Sequence, residues 1–238
     1  MNKYTHIIIG GPRLDENSII YRRRRLLEYL ASHPETYKVY WIYFNPNNKT
    51  NLGELIFPEL PDSYKKDPYD KIVPIEILDY RYLISFIPLF QKQLVKKVMK
   101  IIGINNHSVL WYTLHRFSSL TNLNHWNNTV YDCSDNWTNQ DNNEIFKYFF
   151  DYITSHSEKL IIQNTNIHFA SSKFLKTKVE RISKRKCQLV EHGISSIFTN
   201  LSPEGIKKTK NSKIKLCYLG SVQNNKIDVN LLFNISKN

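Results

Sequence analysis

Two stretches decide the fold: His6-Ile7-Ile8-Ile9-Gly10-Gly11-Pro12, and Lys38-Val39-Tyr40-Trp41-Ile42-Tyr43-Phe44. The isoleucine run is β-branched and stops where glycine and proline end strand geometry. The second run is continuously apolar and aromatic, as expected of a strand buried on both faces. Between them, Asp15-Glu16-Asn17-Ser18 offers capping side chains and negative charge to a helix that runs to about Ser32 and is closed by His33-Pro34. Strand, turn, helix and strand in that order make a βαβ unit.

The pattern repeats outward. Asn45 to Lys71 carries Pro46, Pro58, Pro61 and Pro68 and reads as a long loop, followed by a strand over Ile72 to Leu78. Phe86 to Ile102 is helical, with Lys92, Lys96, Lys97 and Lys100 on one side and Ile87, Leu94, Val98, Ile101 and Ile102 on the other. Strands are predicted at Val109–Thr113, Thr129–Tyr131, Ile167–Ala170 and Cys187–Val190. A helix starts at about Asn143, and Ser171-Ser172 caps a basic helix through Ser183. This alternation predicts an α/β domain with a Rossmann-like parallel sheet flanked by helices over 1–200. A Lys-rich linker over 201–212 follows, then the first strand and helix of a second domain over 213–238 that does not close.

Composition sets bounds. The 238 residues carry 33 Lys+Arg against 21 Asp+Glu, a formal charge of +12, so polyanions are the natural partners. With 41% hydrophobic and 23% charged residues, general disorder is excluded. Cys133, Cys187 and Cys217 are too far apart for a zinc knuckle, and the eight histidines show no ligand spacing. The absence of a leader pattern or long apolar run leads to the expectation of a cytoplasmic protein, peripheral at most on the inner face of the membrane. No motif of a nucleic-acid-binding module accompanies the charge.

In open parallel sheets, ligands bind at the carboxyl ends of the strands, so polar residues there are the candidates. Gly10 and Gly11 would let a phosphate or sugar approach the backbone, or form a plain tight turn. Arg22, Arg23, Arg24 and Arg25 cover about 300° of helix and cannot act as one patch. Ile19, Leu26 and Leu30 centre the apolar face near Arg23, which therefore needs an anion or carboxylate partner, or else snorkels to the surface. Asp132 and Asp135 at a strand end suit a general base, sugar-hydroxyl acceptors, metal ligands or simple helix capping. His115, at the end of the strand neighbouring that of Asp132, and His192, before Gly193, are either site residues or structural.

Taken in order, several stretches carry a family resemblance: Arg22-Arg23-Arg24-Arg25-Leu26-Leu27-Glu28-Tyr29-Leu30-Ala31, Val130-Tyr131-Asp132-Cys133-Ser134-Asp135, Phe169-Ala170-Ser171-Ser172-Lys173-Phe174-Leu175, Val190-Glu191-His192-Gly193 and Tyr218-Leu219-Gly220-Ser221 with Lys226-Ile227-Asp228. The chain resembles the N-terminal half of a GT-B glycosyltransferase, of the family-4-like type that builds teichuronic acid and other surface polysaccharides. The resemblance implies transfer of a sugar from a nucleotide-sugar, which is a substrate and not a cofactor, to a polysaccharide or lipid-linked acceptor. It implies that Asp132, or Asp135, polarises the acceptor, that Gly10 and Gly11 face the donor diphosphate, that Lys226 binds phosphate, and that no metal is held. The family's arginine after Gly220 is Ser221 here. Its Glu-x7-Glu motif would lie beyond Asn238, so the expectation is a fragment or split enzyme, inactive without a separate C-terminal domain. The rival expectation is a non-catalytic basic α/β module that holds an anionic glycan, a membrane surface or a partner subunit.

Overall fold

The computed structural model describes residues 3–11, 13–14, 22–46, 53–79, 87–103, 107–123, 126–137, 145–193 and 233–234. The chain divides into two compact units, Met1–His192 and Gly193–Asn238. Every described strand lies in the first. Of the second unit only Gly193, Phe233 and Asn234 are described, so the expected linker, second-domain strand and helix, and Lys226 lie outside the described residues.

Eight strands form one sheet: β1 (Tyr4–Ile9), β2 (Thr36–Asn45), β3 (Leu55–Ile56), β4 (Ile72–Leu78), β5 (Ser108–Tyr112), β6 (Asn128–Cys133), β7 (Ile167–Ala170) and β8 (Gln188–Leu189). Their order is β3-β4-β2-β1-β5-β6-β7-β8, and every pairing is parallel except β3 with β4. The fold is therefore α/β and Rossmann-like. The chain order reverses between β1 and β5, which is where such sheets open a crevice at their carboxyl ends. The short antiparallel β3 sits inside the stretch expected to be loop. Two residues paired to an edge strand leave no periodic signal in the sequence.

Among the described residues four helices cover the sheet: α1 (Arg22–Ser32), α2 (Pro88–Ile102), α3 (Ile145–Asn164) and α4 (Lys173–Ser183). The capping residues expected at 15–18 lie outside the described residues. Helix α2 opens at Pro88, two residues later than expected, because a proline ring suits the first helical position. It closes on Gly103 at φ 63, a left-handed cap that glycine adopts without a Cβ penalty. Ser172 caps α4, its hydroxyl accepting from the Leu175 N–H at 3.3 Å.

The period-two alternation of strands sends neighbouring side chains to opposite faces. Ile7 and Ile9 join Ile42, Leu94, Val98, Ile161, Leu175 and Val179 in one core. Ile8 faces the other way, with Trp41, Tyr43, Leu27, Leu30 and Ala31. Helix α1 thus packs on one face and α2, α3 and α4 on the other. Burying a leucine such as Leu27 contributes about 1.5–3 kcal/mol, so the apolar stripe of α1 holds that helix down despite its arginines.

Candidate functional site at the carboxyl edge of the sheet

The sheet register aligns the ends of the central strands. Ile9 pairs with Tyr112, and Tyr112 with Tyr131, so Gly10, Thr113 and Asp132 form the next row. Thr113 is tied into that row by its N–H and hydroxyl, which donate to the Ile9 carbonyl at 3.2 and 2.9 Å. Above it opens a cleft of about 480 Å³ lined by Gly11, Arg13, Arg23, Tyr43, Phe44, Asn45, Pro46, Glu76, Leu114, Arg116 and Trp137. That volume is in the range of about 300–1,000 Å³ typical of small-molecule sites.

Arg23 brings a half-buried guanidinium to this cleft. Its guanidinium donates to Asp135 Oδ2 at 2.9 Å and stacks over the Trp137 ring, 5.2 Å from the centroid. Burial lowers its pKa, opposed by the charges of Asp135 and Asp132. The wheel position of Arg23, inside the edge of the apolar face of α1, is what brings it to the sheet. Arg24 turns away to Tyr64 and Glu28. Arg25 is exposed beside Glu28.

Arg22 does something different. Its Nε and Nη2 donate to Asp132 Oδ2 and Oδ1 at 2.9 and 2.8 Å, and its Nη1 donates to the Val190 and Glu191 carbonyls. Asp132 faces α1 because it shares strand parity with Val130, whose partner Trp111 packs against the core cluster that holds Leu27, Leu30 and Ala31 of α1. Both Asp132 oxygens thus accept from one half-buried guanidinium, a strong bidentate geometry. This pair ties α1 to the end of β6 and to the segment after β8. It is not part of the cleft lining.

Gly10 and Gly11 also separate. The Gly10 N–H donates to the Ile42 carbonyl at 2.8 Å, and a Cβ there would sit 2.6 Å from the Trp41 indole. Packing alone therefore demands a glycine at position 10. Gly11 lies against Arg23, 3.5 Å from where its Cβ would be, and lines the cleft.

His115 is buried, its ring 4.8 Å from that of Trp137. Burial pushes its pKa down to about 3, helped by Arg116, Arg23 and Lys178, so at neutral pH it is an uncharged imidazole. Its carbonyl accepts from Ser157 at 2.7 Å. Nearby, Phe117 is buried with φ 60. A bulky residue there costs of order 1–3 kcal/mol. Tyr112, whose hydroxyl donates to the Phe117 carbonyl at 2.9 Å, and the edge-on contact with Phe44 help hold it. His192 is exposed, two residues past Val190.

Several cleft residues escaped the sequence reading. Glu76 is the main one: buried in β4, it accepts from the Asn45 amide at 2.6 Å and from the Tyr43 hydroxyl at 3.1 Å. A single carboxylate inside the apolar run Ile72-Val73-Pro74-Ile75-Glu76-Ile77-Leu78 was the available signal. Behind the site, Glu158 is buried between Tyr131 and Lys178, at 2.9 and 2.8 Å, and Lys178 also donates to Asn136 at 3.2 Å. This network anchors the loop that carries Asp135 and Trp137. Among the described residues no group of three or more His, Cys, Asp or Glu could hold a metal ion, and no helix is long and apolar enough to cross a membrane.

No protein-family model matches the chain. The chain is similar to a bacterial sugar transferase. Over 195 residues, 79% of its length, it is 25% identical to the protein of Bacillus subtilis (strain 168) named "Putative teichuronic acid biosynthesis glycosyltransferase TuaH". It spans about half of that relative, 48% of its length.

Proposed function

We propose that these residues form the acceptor-side half of a GT-B glycosyltransferase, which transfers a sugar from a nucleotide-sugar to a polysaccharide or lipid-linked acceptor at the cytoplasmic face of the membrane. The observation that carries this reading is the cleft at the strand-order reversal, with Arg23 half-buried in its wall, in a chain similar to a named glycosyltransferase. Gly11 leaves room for a ligand to approach the backbone at the end of β1. Arg23, Arg13 and Arg116 supply positive charge where a diphosphate or charged sugar would lie. Asp132, held by Arg22, fixes the end of β6 and orients the following loop, while Asp135 at the rim is the more accessible carboxylate for an acceptor hydroxyl. The Met1–His192 unit is the acceptor domain in this scheme, and the residues after it begin the donor domain.

Calorimetric titration of the protein with acceptor-type saccharides and nucleotide-sugars tests this. Saccharide binding that is lost in Arg23→Gln is expected. Turnover of a nucleotide-sugar by this chain alone would overturn the acceptor-half assignment, and failure of every saccharide to bind would overturn the transferase reading.

A second reading, an anion-binding module without transfer, draws on α2. Its Lys92, Lys96, Lys97 and Lys100 are all exposed, on a helix with no acidic residue. Flotation with vesicles, with and without anionic lipid, separates the two: binding to anionic vesicles with no saccharide binding favours the module.

A further inference from the structure

Two adjacent residues of α3 hold both walls of the cleft from behind. Ser157 and Glu158 are buried, although serine and glutamate are ordinarily surface residues. The Ser157 hydroxyl donates to the His115 carbonyl at 2.7 Å. That carbonyl lies between Leu114 and Arg116, which line one wall. Glu158 works toward the other. Its Oε1 accepts from the Tyr131 hydroxyl at 2.9 Å and its Oε2 from Lys178 Nζ at 2.8 Å. Lys178, whose side chain is 11% exposed, donates again to Asn136 Oδ1 at 3.2 Å. Asn136 stands between Asp135, which pairs with Arg23, and Trp137, over whose ring the Arg23 guanidinium stacks.

Stabilising the core needs less than this. A buried carboxylate requires a cation and hydrogen bonds, and Tyr131 and Lys178 already supply them to Glu158. The bond from Lys178 to Asn136 lies outside that compensation and reaches the cleft segment. An ammonium on a four-carbon stem is flexible, so the ion pair with Glu158 is what holds Lys178 where Asn136 meets it. The Ser157 bond likewise ends on a backbone carbonyl that belongs to neither helix nor strand. The two walls also touch each other, the His115 and Trp137 rings lying 4.8 Å apart. At the near end of the second segment, the Ser171 hydroxyl donates to the Ser134 carbonyl at 2.9 Å.

We infer that Ser157, Glu158 and Lys178 are positioning residues of the cleft. Ser157 sets the segment that carries Arg116, and Glu158, acting through Lys178, sets the segment that carries Asp135 and Trp137. None of the three is in the cleft lining. Their part in transfer rests on the proposed transferase reading, which gives Arg23 and Asp135 to the ligand.

Fluorine NMR of the whole protein labelled with 5-fluorotryptophan is the test, with the Trp137 signal assigned by its loss in Trp137→Phe. Lys178→Met shifts that signal by more than its linewidth and lowers the urea midpoint. The Trp41 signal, from the cluster packed under α1, stays in place. Lys178→Arg, which keeps donors for both partners, returns the Trp137 signal toward its original position. The deciding variant combines Glu158→Gln with Lys178→Met. It leaves no unpaired buried charge, and the amide oxygen still accepts from the Tyr131 hydroxyl, so the midpoint recovers. The tether to Asn136 is still missing, so the Trp137 signal stays displaced. Ser157→Ala moves the same signal through the His115 contact. If the signal recovers together with the midpoint in the double variant, or never moves in Lys178→Met, the network only stabilises the core and the positioning role is wrong. An unmoved signal in Ser157→Ala overturns the Ser157 half. No saccharide enters this readout, so its failure leaves the transferase reading standing. Failure of every saccharide to bind overturns that reading and leaves the hold on the two walls intact.

Discussion

Replacing Arg22 with methionine would remove the guanidinium that hydrogen-bonds both oxygens of Asp132, and the structure gives the size of the loss. The Asp132 side chain is 6% exposed and that of Arg22 17%, and two charge-assisted hydrogen bonds of 2.9 and 2.8 Å join them. Two unit charges about 4 Å apart attract by about 4 kcal/mol at an effective dielectric near 20. That attraction is partly offset by the cost of taking both groups out of water. The single variant leaves a buried carboxylate uncompensated, which costs about 3–5 kcal/mol. Asp132→Leu leaves the guanidinium uncompensated but in contact with the Val190 and Glu191 carbonyls, so its cost falls toward the lower end of that range. In the double variant both charges are gone, and the apolar pair restores much of the stability. Urea unfolding of all four proteins, followed by near-ultraviolet circular dichroism, should show the double variant no less stable than either single one, with a coupling of about 2–4 kcal/mol. Additive losses, or an Arg22→Met cost below about 0.5 kcal/mol, would show that the pair is not the clamp described here. The same series separates structure from chemistry, because a purely catalytic Asp132 would lose transfer on substitution without losing stability.

Gly10→Ala drives a methyl group into the Trp41 indole, whose nearest carbon is 2.6 Å away and which is itself buried. Overpacking of this kind costs about 1–3 kcal/mol, read as a lower urea midpoint, and an unchanged midpoint would falsify the packing account. His115, with its pKa pushed down to about 3, stays neutral while the unfolded chain takes up a proton near pH 6.5. Stability therefore falls as pH drops below about 6.5, by at most about 1.4 kcal/mol per pH unit from this group, and the loss continues toward pH 3. The check is its imidazole proton resonance, which should stay fixed from pH 8 to 5; a midpoint near 6.5 would sink the argument. Burial raises Cys133 to about 12 and Cys187 to about 11, so at pH 8 both should alkylate at least about a hundredfold more slowly in the native protein than in urea. Mass spectrometry of the two peptides measures this, and equal rates in both states would contradict the burial of the thiols.

The sequence by itself determined most of the elements. The isoleucine run became the end of β1, and Ile72–Leu78 and Ile167–Ala170 became β4 and β7 with the expected bounds, because period, β-branching and turn residues are local properties. It also placed Arg23 toward the sheet, since a helical wheel needs only neighbouring residues. It could not supply the partners. Arg22 meets Asp132 across 110 positions and Arg23 meets Asp135 across 112, and Glu76 meets Tyr43 across 33. Those meetings follow from strand order and register, which arise when both faces of the sheet find helices to cover them. For the same reason only the tertiary structure separated Gly10, needed for Trp41, from Gly11 at the cleft. It also gave Asp132 to an arginine and set Glu76, whose one local sign is a lone carboxylate among apolar neighbours, in the cleft wall.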